Sequence, residues 1–272
     1  MLECGAFSPL SDFISEFKTH RNPVSDLSCL RVGKSGDDEP KSKSKQMNEP
    51  LRLEFNEWAR AGKGASMEQG HRPVGEQAIE RMQIPVDATV LDVGCGSGWA
   101  TRLMGESALQ GHVVGIDVSD EMIRVAREES SDHSSVKFQV ASAEDLPFED
   151  GEFTHAFSME SLYYYVHIPK ALKEIKRVLK PGGLFVAVID LYQENEPTHH
   201  WISFLKVPVQ LLSSSEYRSM LEDSGFVNVR DQRLFDPTPV PENYSGTTFK
   251  TRDDFVQYRR NGSLMLSAHV SQ

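Results

Sequence analysis

The sequence predicts an α/β fold with a doubly wound, mostly parallel sheet, and three observations support this prediction. A short β-type run, Thr89–Val93, leads into a turn with glycines at 94, 96 and 98, and a helix is predicted from Trp99. A second apolar run, Val113–Ile116, ends in Asp117. Strand-like and helical patterns then alternate as far as Ile189, which is typical of parallel strands joined by crossover helices.

Composition narrows the class of protein. A chain of 272 residues is long enough for one large domain with a full core. No run approaches the roughly 18–20 apolar residues that cross a membrane. Cys4, Cys29 and Cys95 show no paired spacing, so we expect a reduced, cytoplasmic protein. The net charge of −11 argues against nucleic acid as a partner.

The N-terminal part of the chain divides into two predicted segments. Residues 1–46 are interpreted as a disordered or extraneous extension, since residues 33–46 contain no apolar side chain; a partner-docking arm is the alternative. Residues 47–72 are predicted to form a helix and a lid loop. Asn48 is expected to cap the helix, and the glycine-rich stretch 61–71 is expected to be mobile. Pro73 then begins the main domain, 73–272.

The elements after the glycine turn follow from regular apolar spacing and capping residues. We predict strands at Val136–Val140, Phe153–Met159, Leu184–Ile189, Val227–Phe235 and Ser263–Val270. Helices are predicted after the cap Ser119, from Ile168 to Leu179, and after the capping box of Ser213 and Glu216. Residues of about 191–212 and 236–257 are predicted to be insertions.

Four pieces in order resemble a known family. Asp92–Gly98 reads D-x-G-x-G-x-G, and the acid Asp117 follows the second strand. Residues 143–153 read AEDLPFEDGEF, and a helix, a KPGG turn and a strand run from Ala171 to Ile189. Together they resemble the class I S-adenosylmethionine-dependent methyltransferases, in particular the small-molecule, ubiquinone/menaquinone-methyltransferase-like domain. The resemblance covers roughly residues 74–190.

The resemblance implies a fold and a cofactor. It implies a Rossmann-like, seven-stranded sheet that is mostly parallel, closes with an antiparallel C-terminal hairpin and carries an N-terminal helical lid. S-adenosyl-L-methionine would be converted to S-adenosyl-L-homocysteine. The glycine turn would hold the methionine end, Asp117 the ribose, and Met122 the adenine. Ser142 stands where the family usually has an aspartate for the adenine amino group, and a hydroxyl can still accept that bond.

Three sets of site residues follow from these positions. The predicted cofactor-binding residues are Asp92, Gly94, Cys95, Gly96, Gly98, Asp117, Val118, Met122, Ser142, Ala143, Glu144 and Met159. The predicted substrate-binding residues are Trp58, Met67, Tyr163, Tyr164, His200 and Trp201. The candidates for a general base are His71, Glu160, Tyr163 and His199, among which the sequence does not choose. No metal site is expected, because the adjacent histidines 199 and 200 have no carboxylate or cysteine at ligand spacing.

The predicted function is methyl transfer to a small-molecule acceptor by in-line displacement, by a monomer or homodimer. A base is needed only if the attacking atom carries a proton, and oxygen, nitrogen, carbon and sulfur all remain open as that atom. A catalytically inactive cofactor-binding scaffold is the main alternative. A nicotinamide-dependent dehydrogenase is disfavoured by the glycine spacing, because dinucleotide sites use G-x-G-x-x-G.

Overall fold

The computed structural model describes residues 48–246 and 248–272. The predictions for residues 1–46 therefore lie outside the described residues. Seven strands form one sheet in the order β3-β2-β1-β4-β5-β7-β6. The strands are β1 (Thr89–Val93), β2 (His112–Asp117), β3 (Val136–Val140), β4 (Phe153–Met159), β5 (Leu179–Ile189), β6 (Val227–Leu234) and β7 (Ser263–His269).

The direction of the strands confirms the predicted sheet. Strands β1 to β5 are parallel, and β7 runs antiparallel to both of its neighbours, β5 and β6. Strand β5 is central, and its residues 185–189 are all buried, as expected for a strand covered on both faces. The strand order reverses between β1 and β4. In open α/β sheets a ligand usually binds at the carboxyl ends of the strands beside such a reversal, so we expect the ligand there.

Seven α-helices surround the sheet in the described part of the chain. They are α1 (Glu49–Arg60), α2 (Lys63–Met82), α3 (Trp99–Ser107), α4 (Asp120–Glu128), α5 (Ile168–Val178), α6 (Ser214–Asp223) and α7 (Arg252–Asn261). Two 3₁₀ helices lie at Leu162–Tyr164 and Glu196–Phe204. The predicted caps are present: Ser119 accepts a hydrogen bond from the backbone of Met122, and Ser213 forms a capping box with Glu216.

The predicted lid loop is wrong, because this segment is helical. Gly62 turns the chain with a φ of 71°, and α2 then runs from Lys63 through Pro73 to Met82. Glycines lower helix propensity by about 1 kcal/mol each, but here tertiary packing outweighs that cost. A Cβ on Gly64 would lie 2.9 Å from Cβ of Ser97, so only glycine lets α2 approach the β1–α3 turn this closely.

Asn48 is the N-cap residue of α1, as predicted, but its side chain does not cap the helix. Its side chain makes no capping hydrogen bond and instead donates to Oγ of Ser142, 2.9 Å away. Further along α1, Asn56 accepts a hydrogen bond of 2.6 Å from the hydroxyl of Ser119 and donates one of 2.9 Å to Asp120. The first helix is therefore tied across the carboxyl edge of the sheet, where the sequence places a lid.

The two predicted insertions have structure of their own. The first contains the 3₁₀ helix Glu196–Phe204, and the second leads into α7, whose N-terminus is a capping box of Thr251 and Asp254. Helix α7 connects the antiparallel strands β6 and β7. Tyr258 on α7 reaches the end of β5, where the tyrosine hydroxyl donates a hydrogen bond of 2.8 Å to Asp190.

Candidate active site

A cavity of about 950 Å³, partly open to solvent, lies at the carboxyl ends of β1, β2 and β4 and is called the first cavity below. Helices α1 and α2 cover it. Its lining includes most of the predicted cofactor residues: Asp92, Gly94, Cys95, Gly96, Asp117, Val118, Met122, Ser142, Ala143, Glu144 and Met159. The sheet topology thus brings together side chains that are up to 67 positions apart (159 − 92).

The three glycines of the turn have different structural roles. A Cβ on Gly94 would lie 2.5 Å from Cβ of Ser161, so this position must be bare. Gly96 has a φ of 52°, and a Cβ there would meet no atom within 4 Å, because its backbone faces the open first cavity. Gly98 is absent from the cavity lining. It begins α3 with a φ of 81° and leaves room for the ring of Phe138, 2.6 Å from an added Cβ.

Two buried aspartates stand beside this turn. Asp117 accepts hydrogen bonds from the backbone of Ser119 at 2.8 Å and of Gly96 at 3.1 Å. Asp92 accepts one of 2.6 Å from the hydroxyl of Thr101. Burial raises the pKa of Asp117 to about 6 and that of Asp92 to about 7. A carboxylate has about four acceptor positions, so Asp117 can still accept from ligand hydroxyls.

The side chains at the far end of the first cavity are held by structural contacts. Met122 is buried against it, and Glu144 accepts a hydrogen bond from the backbone of His167 at 3.0 Å. The hydroxyl of Ser142 accepts from both Asn48 and the backbone of Glu144. An adenine amino group at Ser142 would therefore share this oxygen with the lid residue Asn48.

Cys95 carries no sign of a reactive thiol. It is buried, and burial together with the nearby acids Asp92 and Asp117 raises its thiol pKa well above the ordinary value. A thiolate is the reactive form of cysteine, so this environment keeps the group inert. Its contact with the first cavity comes from its place in the turn.

A second cavity, of about 580 Å³, adjoins the first and is mostly apolar. It is lined by Phe55, Trp58, Met67, His71, Glu160, Tyr163, Tyr164, Leu191, Trp201, Leu205 and Thr248. The ring centroids of Phe55 and Trp58 are 5.0 Å apart and those of Phe55 and Tyr164 are 5.1 Å apart, both edge to face. Five of its residues also line the first cavity, so the two cavities meet at Phe55, Met67, His71, Glu160 and Tyr164.

Three of the four predicted base candidates lie at or beside this junction. His71 lies on α2 and Glu160 directly follows β4, while the Tyr163 hydroxyl donates to Glu160 at 2.7 Å. Burial lowers the pKa of His71, which favours the neutral imidazole. Burial and the neighbouring Asp190 raise the pKa of Glu160 well above its usual range. The buried Tyr163 has a raised pKa, so its phenol is the protonated donor.

The two adjacent histidines lie outside both cavity linings, so their predicted contact with substrate is not seen. His199 approaches the carbonyl oxygen of Tyr192 at 3.2 Å through its ring nitrogen. His200 donates from Nδ1 to the carbonyl of Pro197 at 2.8 Å and packs beside Phe204. His200 thus contacts its own 3₁₀ helix, Glu196–Phe204, and His199 contacts the segment before that helix. Only the next residue, Trp201, reaches the second cavity.

The structure adds site residues that the predicted site lists lack. Asp190 directly follows β5, and its carboxylate lies with His71 and Glu160 in one group whose potential metal-ligand atoms are all within 4.8 Å of one another. Phe55, Leu191 and Leu205 wall the second cavity. The position of Asp190 at a strand end was a usable signal. Phe55 is part of a helical apolar pattern, which predicts burial but not burial in a cavity, and Leu191 and Leu205 carry no distinguishing pattern.

Comparison with known proteins agrees with this geometry. A family model described as a methyltransferase domain matches residues 91–187. The chain is 35% identical over 132 residues to a demethylmenaquinone methyltransferase of Staphylococcus carnosus, covering 47% of this chain and 52% of that protein. It therefore spans about half the length of this relative. A Staphylococcus aureus protein of the same name is 28% identical over 189 residues, which cover 59% of this chain and 76% of that one.

Solved structures include a longer match. A putative methyltransferase, in complex with the Trm112 methyltransferase activator of Haloferax volcanii, is 32% identical with a TM-score of 0.76. The match covers 80% of this chain and 98% of that one. A geranyl diphosphate C-methyltransferase from Streptomyces coelicolor, in complex with Mg²⁺, geranyl-S-thiolodiphosphate and S-adenosyl-L-homocysteine, shares the fold at 22% identity and a TM-score of 0.57, over 72% of this chain and 74% of that one.

This chain belongs to the class I S-adenosylmethionine-dependent methyltransferases. Members of this class are enzymes, and their cofactor is S-adenosyl-L-methionine. The residues present fit that cofactor, since Gly96 opens the backbone toward the first cavity and Asp117 presents a carboxylate there. No helix among residues 48–246 and 248–272 is long and apolar enough to span a bilayer.

Proposed function

We propose that this protein transfers a methyl group to a small molecule with an apolar or aromatic body. The observation that carries the proposal is the second cavity, whose walls are mostly aromatic and aliphatic and which opens onto the first cavity at His71 and Glu160. A mostly apolar wall with a few polar groups, here His71 and Glu160, is the usual lining of a small-molecule site. An acceptor bound there would present its reacting atom toward the first cavity.

Helix α1 covers the site, and this favours a small molecule rather than a macromolecule as the methyl acceptor. Phe55 and Trp58 on α1 form one wall of the second cavity. The same helix is tied to the segment after the 3₁₀ helix, because Glu54 accepts a hydrogen bond of 3.1 Å from the backbone of Lys206. A residue of a protein or nucleic acid would have to pass this wall. A small molecule needs only a local movement of α1.

The cofactor supplies an activated methyl group, so the protein has mainly to align the attacking atom and exclude water. Within the proposal, the glycine turn and Asp117 hold the cofactor, and Met122 lies against the adenine. The rings of Tyr163, Tyr164 and Trp201 hold the body of the acceptor. His71, Glu160 and Tyr163 contact its reactive end, where the two cavities meet.

The test is incubation of the purified protein with S-adenosyl-L-methionine labelled at the methyl group and a metabolite extract, read by mass spectrometry. We expect a labelled small molecule whose formation is reduced by Trp201→Ala. His199→Ala is the matched control, since this side chain lies in the same 3₁₀ helix but outside both cavities. Label in protein or RNA instead would refute the small-molecule proposal. Confirmed cofactor binding without any labelled product would favour the inactive scaffold.

We further propose that an activator of the Trm112 type binds this chain. The support is the Haloferax volcanii complex, whose methyltransferase is 32% identical and is covered over 98% of its length. The labelled-methyl assay should therefore be run with and without such an activator. A rise in turnover or in melting temperature on its addition is expected, and no change in either would contradict the proposal.

A further inference from the structure

Three side chains from separate elements converge where the two cavities meet. His71 comes from α2, Glu160 from the exit of β4, and Asp190 from the exit of β5. Each presents one potential ligand atom, and these atoms all lie within 4.8 Å of one another. His71 and Glu160 line both cavities, so the group stands between the cofactor side and the acceptor side.

No lysine or arginine in the described part of the chain is in direct contact with either of the two buried carboxyl groups. Neither Glu160 nor Asp190 forms an ion pair with a lysine or arginine among residues 48–246 and 248–272. Arg259 on α7 is the cation whose field reaches Asp190, but its guanidinium pairs with Asp236. Both buried acids can ionise at this separation only with a counter-charge between them, and a bound cation would supply it.

The carboxyl groups are already oriented by hydrogen-bond donors behind them. Tyr163 donates to Oε2 of Glu160 at 2.7 Å, and the backbone N–H of Asp190 donates to Oε1. Tyr258 donates to Oδ2 of Asp190 at 2.8 Å. Such outer donors fix the direction of carboxylates that bind metal ions.

The remaining ligand positions are free. Asp190 is only 1% exposed, and its Oδ1 is buried without a hydrogen-bond partner. The ring of His71 likewise makes no hydrogen bond within the described residues. The backbone of Glu160 has a φ of 51°, an uncommon conformation for a non-glycine residue that the fold holds at a cost of order 1 kcal/mol. The unpaired buried oxygen of Asp190 is therefore available to a ligand such as an ion.

We propose that His71, Glu160 and Asp190 together bind one divalent transition-metal ion at the junction of the two cavities. One imidazole nitrogen and two carboxylate oxygens suit Mn²⁺, Fe²⁺, Co²⁺ or Zn²⁺, whereas Mg²⁺ and Ca²⁺ prefer oxygen alone. Ligands at about 2.0–2.2 Å from an ion lie roughly 3–4 Å from one another, so small side-chain rotations suffice to close the observed group.

Three protein ligands would leave further coordination positions, and two of the ligands, His71 and Glu160, line the second cavity. An oxygen of the acceptor could occupy one of them, which would orient it toward the first cavity. Only this assignment of the open positions depends on the proposed function. The binding of the ion itself depends on the three side chains alone and can be tested without an acceptor or turnover.

The test uses Mn²⁺ and the full chain. Mn²⁺ is chosen because it binds cysteine weakly, and its paramagnetism broadens nearby histidine resonances. We expect electron paramagnetic resonance of free Mn²⁺ to show one bound ion per chain. In the proton NMR spectrum, the ring signals of His71, assigned with His71→Gln, should broaden at substoichiometric Mn²⁺. Those of His112 and His199 should stay sharp.

Variants complete the experiment. Glu160→Gln and Asp190→Asn should each weaken Mn²⁺ binding by at least about tenfold. Asp253→Asn, which changes an exposed acid on α7, and His199→Gln should bind as the unmodified chain does. Circular dichroism and calorimetry with S-adenosyl-L-homocysteine report whether the variants are folded. If the unmodified chain binds no stoichiometric Mn²⁺, if other histidines broaden in place of His71, or if both carboxyl variants bind normally, the metal site is refuted.

Discussion

Replacing Asp92 by asparagine is expected to stabilise the ligand-free protein at alkaline pH and to leave it nearly unchanged at acid pH. Asp92 is 1% exposed at the end of β1, and burial raises its pKa from 3.8 to about 7. Asparagine has the same shape, can still accept the hydrogen bond from Thr101 through its carbonyl oxygen, and never ionises. The substitution therefore removes the cost of a buried charge while keeping the contact.

The sign and size follow from proton linkage. The pKa of Asp92 is higher in the folded state than in the unfolded chain. Between about pH 4 and pH 7, Asp92 is therefore protonated in the folded state and ionised in the unfolded chain. The stability due to this group is full below pH 4 and is lost as the pH rises through 7. At about 1.4 kcal/mol for each pKa unit, the loss is at most about 4 kcal/mol.

The assay is urea unfolding followed by tryptophan fluorescence at a series of pH values from about 4 to 8. The difference in unfolding free energy between Asp92→Asn and the unmodified chain should grow by several kcal/mol, up to about 4, across this window. Asp87→Asn, an exposed aspartate just before β1, is the matched control and should show a constant difference. If the Asp92→Asn difference is equally constant, the carboxylate is not destabilised by burial and the reasoning fails.

Three further predictions concern cofactor binding and packing. Asp117→Ala should weaken S-adenosyl-L-methionine binding by at least about 1–2 kcal/mol in calorimetry, the scale of lost charge-assisted hydrogen bonds; unchanged affinity would place the ribose elsewhere. Gly75→Ala puts a methyl 2.4 Å from the ring of Trp99 and should lower the unfolding free energy by about 1–3 kcal/mol in urea titration; an unaffected midpoint would contradict the close approach of α2. Thr251→Ala should cost about 1 kcal/mol through loss of the α7 cap, while Thr251→Ser should restore most of it.

The sheet could be predicted because its signals are local. Each strand of the parallel part is a short apolar run, and each crossover helix has its own cap or stop signal, such as Ser119. The glycine turn could also be predicted from the sequence. Its pattern identifies a cofactor site, although the structure separates Gly96, which faces the cavity, from Gly98, which makes room for Phe138.

The second part of the lid was wrongly predicted as a loop because its helix depends on distant contacts. Glycines at 62, 64 and 70 are local signals for a loop. In the structure α2 is helical, with Gly64 packed on Ser97 and Gly75 packed on Trp99. The adjacent histidines show a related limit of local patterns. A pair of histidines suggests a reactive site in a sequence. In the structure each ring has one nitrogen beside a backbone carbonyl, and neither histidine lines a cavity.

The sequence by itself determined the class of fold, the cofactor and the edge of the sheet where they meet, because periodicity, capping and turn geometry are properties of neighbouring residues. Only the tertiary structure decided what stands opposite the cofactor. The junction of His71, Glu160 and Asp190 joins positions up to 119 apart in the chain (190 − 71), and the aromatic second cavity joins α1 to the segment after β5. No local pattern encodes such distances, since they arise when the strands align their carboxyl ends and the lid helix packs across them.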